Sequence, residues 1–328
     1  MVTPFLPGSR ILGVYGQGLH LDLPMSEFVM LETTRHNPDV DNGRRGPAHR
    51  VLRDADLERA RGLGRVVFNG VGNGTHTANL YEKFPTRIMF PQIAGDAARE
   101  AVLVNAAGGI AGGDRFELDI IALGDAHVAM TSQAAEKIYR ALNEPARIDT
   151  RLKARDSAKL AWLPQETIVF DRARICRRIE IDLHWGAELV ALEWLVLGRA
   201  ARGEEITRGY IRDSWLVRRD GRLIWADTFL VTGSTFPHLS RKALLSDRKA
   251  IGTLIYFGPY PDRRLERLRE VAQSQQCDCA VTTVSGLIVV RFAARTSYDL
   301  KMALICMLQN FDRELGPGPF RVPKMWSC

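Results

Sequence analysis

The chain has 328 residues, 46% of them hydrophobic and 25% charged, so it is long enough for one large folded domain or two and is not a low-complexity protein. Lysine and arginine (45) outnumber aspartate and glutamate (38) for a net charge of +7, yet no block of five like charges and no aromatic-basic RNA signature accompanies the excess. The charge therefore argues for a solvated surface or an acidic protein partner, not for nucleic acid.

Residues 1–59 read as an N-terminal extension, with a turn-rich segment from His36 to Pro47 and one apolar patch, Phe28-Val-Met-Leu31. Met1 to Leu23 is broken by Pro4 and Pro7 and has no continuous apolar core, so it does not resemble an export signal. The body is expected over 60–328. From Arg65 onward short apolar or alternating runs dominate: Arg65–Phe68, Arg87–Phe90, Ala101–Val104, His127–Thr131, Arg147–Lys153, Cys176–Leu183 and Leu189–Leu197. Tyr210–Val217 and Arg222–Leu230 follow, separated by Asp220-Gly221, a hairpin signal. So many strands with so few helical patterns predict a mainly β, antiparallel-rich body.

Asn105-Ala-Ala-Gly-Gly-Ile-Ala-Gly-Gly-Asp114 carries four glycines between Gly108 and Gly113. A phosphate-binding loop needs a helix after its glycines. Here Phe116, Leu118 and Ile120 alternate with Glu117 and Asp119, which predicts a glycine-rich turn entering a strand, with Asp114 held at the turn beside a partner such as Arg140.

Two helices are expected near the C-terminus. Asp262 is placed to cap a segment in which Leu265, Leu268, Val271 and Ala272 share a face, and Thr296-Ser-Tyr-Asp299 reads as a capping box with Asp in the Glu position. Ala280–Val284 and Leu287–Phe292 lie between them as strands. The proline-rich tail, Gly316 to Trp326, is expected to lie extended over the surface.

No nucleophile elbow or paired-histidine metal motif is present, which argues against an enzyme. Cys277-Asp-Cys279 is a close thiol pair, read as two small buried apolar residues. The five cysteines are an odd number in a large chain, which fits a reducing cytosol. Ala187–Gly198, the most apolar stretch, is too short to span a bilayer and carries Glu188 and Glu193. An ionised carboxylate in such a strand is costly unless paired. Glu166 and Glu204 have similar settings, and each carboxylate could pair with a nearby arginine or line a hydrated path for a divalent cation. Lys137-Ile-Tyr-Arg140 mixes cationic and aromatic groups and suits an interface, or a structural turn.

Six ordered segments resemble the urease accessory protein UreD (UreH) family. They are Gly108–Asp114, Thr131–Arg140, Trp162–Phe170, Glu193–Arg199 with Gly203-Glu204, Ile251–Leu254 and Val322-Pro-Lys-Met-Trp326. The resemblance implies a large, elongated β scaffold with about two helices and no enzymatic activity. It implies a cytoplasmic metallochaperone that binds apo-urease and recruits UreF and the GTPase UreG, with nickel(II) in transit, no tightly bound cofactor, and GTP held by the partner. Asp114, Glu166, Glu193 and Glu204 are then candidate transient nickel ligands, and Lys137, Tyr139, Arg140 and Trp326 candidate interface or structural residues. Glu136 departs from the small hydroxyl residue usual at its position. A rival reading is a freestanding β-rich module for an acidic partner, unconnected with urease.

Overall fold

The computed structural model describes residues 58–72, 74–91, 98–315 and 320–327. The expectations placed on residues 1–57, among them the Phe28–Leu31 apolar patch and the His36–Pro47 turn region, lie outside the described residues. Among the described residues the strands run β1 (Arg61–Val71), β2 (Gly74–Lys83), β3 (Thr86–Met89), β4 (Arg99–Asn105), β5 (Arg115–Gly124), β6 (His127–Ser132), β7 (Glu136–Ile138), β8 (Ala146–Ala154) and β9 (Lys159–Leu163). They continue with β10 (Thr167–Val169), β11 (Arg174–Leu183), β12 (Glu188–Leu197), β13 (Tyr210–Arg219), β14 (Arg222–Val231) and β15 (Ala250–Phe257). Helix α1 (Pro261–Gln273), β16 (Asp278–Val284), β17 (Leu287–Ala294) and helix α2 (Ser297–Leu315) complete the order. None of the described helices is long and apolar enough to cross a membrane.

The strands form two sheets. One has the order β14-β13-β11-β8-β5-β1-β2; the other runs β16-β17-β15-β12-β9-β6-β4-β3, with β10 joining β12 to β7. From β4 to β13 the chain alternates between them, apart from the short β7 and β10, which follow β6 and β9 within the second sheet, so it re-enters each sheet in the direction in which it left. Neighbours β5–β8, β8–β11 and β11–β13 are consequently parallel, as are β4–β6, β6–β9 and β9–β12. Parallel pairing needs a crossover. Here the crossover is a strand of the facing sheet, which winds the chain into a β-solenoid-like coil.

The mainly β body and the two late helices match expectation. Against the antiparallel-rich expectation, the antiparallel pairs are β1–β2, β3–β4, β13–β14 and the run β12–β15–β17–β16, while the central strands pair in parallel. A period of two reports a strand with one buried face, and a solenoid strand has that pattern as well as a meander strand does.

Packing follows from this winding. Phe68, Ile120, Leu152, Ile181 and Trp215 of the first sheet meet Val128, Leu160, Leu189 and Ile255 of the second between the sheets. The outer face of the second sheet is covered by α1 and α2, through Leu268, Val271, Leu304, Leu308 and Phe311. β12 is therefore buried at every position. The outer face of the first sheet is polar.

Local expectations can be checked one by one. Asp220 and Gly221 take positive φ, 49° and 80°, and turn β13 into β14. At α2 the Asp299 N–H donates to Thr296 Oγ1 (3.1 Å) and the Thr296 hydroxyl donates to the Asp299 carboxylate (2.7 Å), closing the box. Asp262 does not cap α1: the cap position is Tyr260, left-handed at φ 55°, and Pro261 opens the helix. The described part of the tail, residues 320–327, is not a surface strap either. Lys324–Ser327 forms a 3-10 turn, and Phe320 and Trp326 are buried in the core beneath α2. Their aromatic surface outweighs the prolines' preference for extended backbone.

Candidate functional site: a charged layer inside the coil

Three central strands change core at a charged residue. On β11 Ile175 belongs to one apolar cluster and Ile179 to another, with Arg177 between. On β13 the same change runs from Ile211 through Asp213 to Trp215, and on β12 from Leu195 through Glu193 to Ala191. These three side chains converge. Arg177 is 3% exposed, Glu193 6% and Asp213 8%, so all are removed from solvent.

The guanidinium makes four hydrogen bonds. Arg177 Nε and Nη2 donate to the two Asp213 oxygens at 3.0 and 2.6 Å. Nη1 donates to Glu193 Oε2 at 2.5 Å and to Thr167 Oγ1 at 3.0 Å. Glu193 Oε1 accepts the Trp162 indole N–H at 2.9 Å. Burial opposes charge on Arg177, but the Asp213 and Glu193 carboxylates outweigh it and hold the guanidinium protonated. Burial pushes the Glu193 carboxyl above the usual carboxylate range, against the pull of Arg177 and with Asp213 adding to the rise. With both carboxylates ionised the layer carries one excess negative charge.

A polar row continues from Glu193 across the second sheet. Thr253 is its register partner on β15, and Arg291 is the partner of Thr253 on β17. Arg291 donates to Thr253 Oγ1 at 2.8 Å and pairs with Asp227 of β14 at 2.6 Å, where both side chains are partly exposed. The row thus links the buried layer to the sheet margin.

The other expected residues lie elsewhere. Asp114 accepts backbone N–H groups from Ala60 (2.9 Å) and Ala111 (2.8 Å), so it clamps the glycine-rich turn and does not pair with Arg140. That turn does enter strand β5, and Gly109 is there because the Tyr139 ring lies where a Cβ would sit, 2.4 Å away. Tyr139 donates to Gly108 O (3.1 Å) and packs edge-on against Phe170 at 5.3 Å. Lys137 and Arg140 are exposed. Trp326 donates its indole N–H toward Thr131 Oγ1 (3.3 Å) and Leu163 O (3.2 Å) beside Trp194, a buried position.

Glu204 makes a two-point pair with Arg199 (2.9 and 2.8 Å), which holds its carboxyl below the usual range. Glu166 is half-buried, and its Oε2 is enclosed without a hydrogen-bond donor. Glu136 accepts from Asn105 Nδ2 at 3.1 Å. Cys277 and Cys279 pack against the helix-covered core; burial raises both thiols, Cys279 to about 12, in keeping with their apolar reading. Among the described residues no three His, Cys, Asp or Glu side chains are grouped to hold a metal ion, so the four expected carboxylates do not form one cluster.

Sequence reasoning found Glu193 but missed Arg177, Asp213, Thr167 and Trp162. The signal was present: alternation places Arg177 with Ile179 and Ile181, and Asp213 with Trp215 and Val217, on the buried faces of their strands.

The family model for the UreD urease accessory protein matches residues 60–327. A urease accessory protein UreD of Agrobacterium fabrum is 36% identical over 273 residues, covering 82% of this chain and 92% of the relative. Its counterpart in Rhodopseudomonas palustris is 38% identical over 283 residues, 85% and 96% of the two chains. Urease accessory protein UreD 1 of Methylobacterium radiotolerans reaches 46% over 224 residues, 67% of this chain and 77% of the relative. With the family model spanning nearly the whole described body, this chain belongs to the UreD family of urease accessory proteins.

Proposed function

We propose that this chain is a non-enzymatic urease maturation factor of the cytoplasm, which binds the urease apoprotein, recruits UreF and the GTPase UreG, and passes nickel(II) toward the urease active site. The family match over 60–327 carries the reading. GTP is bound and hydrolysed by the partner, and nickel is cargo that no residue here retains tightly.

The charged layer supports a route through the coil. Burying two carboxylates and an arginine costs several kcal/mol per ion, about what the pairing returns, so a hydrophobic set would serve stability as well. A role beyond stability accounts for it better. Glu193 is the interior step, and the polar row through Thr253 and Arg291 to Asp227 leads to the sheet margin. Glu166, with an enclosed oxygen lacking a donor, is a second acceptor suited to brief ligation. Asp114 and Glu204 are committed to the backbone clamp and to Arg199, and serve by holding loops. Carboxylate oxygens suit a borderline divalent cation that must be released again.

The test is co-purification with UreF, UreG and apo-urease, followed by nickel loading. Glu193→Gln should assemble normally and load urease slowly. Failure of the native chain to co-purify with any of the three sinks the reading, and loss of assembly in Glu193→Gln would make that carboxylate structural only.

A further inference from the structure

The outer face of the first sheet carries charge in register rows, and the rows differ. On one, Arg151 of β8 pairs with Asp119 of β5 at 2.8 Å, and Arg65 of β1 reaches the same carboxylate at 3.9 Å. Arg151 also reaches Glu117 at 3.6 Å, and Arg178 pairs with Glu180 on β11. The row Arg65, Asp119, Arg151 and Glu180 balances, whereas the next, with Glu117 opposite Asp149 and Arg178 beside it, carries one carboxylate in excess.

Toward the other end of the same strands the pattern stops. Arg61 of β1 lies opposite Arg115 of β5, and Arg115 lies opposite Arg147 of β8. Arg147 faces Cys176 of β11, which faces Arg212 of β13. All four arginines are exposed, and none forms an ion pair with a described residue. Like charges set directly opposite on adjacent strands destabilise a sheet. No ion pair among the described residues offsets that cost directly, whereas a carboxylate partner laid along the row would.

We propose that the row Arg61, Arg115, Arg147 and Arg212 is the docking surface for an extended acidic segment of a partner protein. At about 4.8 Å per strand, the four intervals from β1 to β13 span roughly 19 Å, the length of about six extended residues. Arginine forks match carboxylates in two-point geometry. Single-stranded nucleic acid would also want exposed rings for stacking, but Tyr210, at the start of β13 beside the row, is covered by Arg174 at 5.6 Å from the ring centre. Cys176 sits within the row and reports its occupancy. The inference is independent of the urease reading.

The test uses the full chain and two fluorescent probes, an eight-residue peptide of alternating Glu and Ser and a short DNA duplex, followed by anisotropy at low and moderate salt. The peptide should bind, weaken with salt, and slow alkylation of Cys176 without slowing that of Cys306. Arg115→Glu with Arg147→Glu should weaken it at least about tenfold, because two charge-assisted contacts become repulsive. The melting temperature should not fall, since the repulsion within the row is relieved. Arg115→Gln with Arg147→Gln, which adds no charge, should weaken binding less, and Arg222→Glu on the far hairpin should leave it unchanged. No peptide binding, equal loss in Arg222→Glu, tighter binding of the duplex than of the peptide, or unprotected Cys176 would each overturn the proposal.

Discussion

Arg177→Met and Glu193→Gln should differ sharply in cost although both remove one charge from the same buried layer. Without the guanidinium, Glu193 and Asp213 remain enclosed with no cation between them, and breaking a buried pair in that way costs about 3–5 kcal/mol. Glu193→Gln is milder. Its single amide oxygen can still accept one of the two donors that Glu193 now serves, the Trp162 indole N–H at 2.9 Å, while its NH2 faces the Arg177 Nη1 donor; Arg177 keeps its two bonds to Asp213 at 3.0 and 2.6 Å. The excess negative charge also disappears, which offsets part of that facing-donor contact, so the expected cost is about 1–2 kcal/mol. Glu193→Leu falls between, at about 2–3 kcal/mol, because it strands the Trp162 donor and removes one acceptor from Arg177. Urea unfolding followed by tryptophan fluorescence measures the three, compared at equal denaturant slope. If Glu193→Gln costs as much as Arg177→Met, Glu193 and not Asp213 is the main counter-charge and the reasoning fails.

Three further outcomes follow from particular contacts. Gly109→Ala should cost about 1–3 kcal/mol by overpacking, since its Cβ would meet the Tyr139 ring, and adding Tyr139→Ala should restore part of that loss in thermal melts. Trp326→Ala should cost about 3–5 kcal/mol, because a buried indole leaves a cavity beside Trp194; a loss below about 1 kcal/mol would return the tail to the surface. Burial raises the Glu136 carboxyl in the fold, against the hydrogen bond from Asn105. The native state then holds that proton to higher pH than the unfolded chain. Its contribution is fully present below the ordinary carboxylate range and is lost as pH rises through the raised value. Glu136→Gln should flatten that decline in pH-dependent melts, and an unchanged slope would contradict it.

What the sequence made legible was local. Asp220-Gly221, the Thr296–Asp299 box and the glycine turn before Arg115 each depend on residues a few positions apart, and each was found. Strand pairing was not legible, because alternation fixes which face is buried and leaves the neighbour open. β2 (Gly74–Lys83) and the short β7 and β10 show little alternation and were missed, and so were the apolar β9 and β15, too short or too uniformly apolar for a period to show; long-range partners place them all. Glu193 stood out as a charge in an apolar strand, but Arg177 lies sixteen positions away in sequence and Asp213 twenty, in strands brought together only by the coil. The tail misled for a related reason: its prolines speak about backbone, and the burial of Phe320 and Trp326 is decided by the groove beneath α2.

The most direct test of the central claim is urease activity and nickel content in a host strain lacking this chain. The account predicts urease protein present at normal abundance but nearly devoid of nickel and activity, restored by the native chain and restored only in part by Glu193→Gln. Fully active, nickel-loaded urease in the strain without the chain would contradict it.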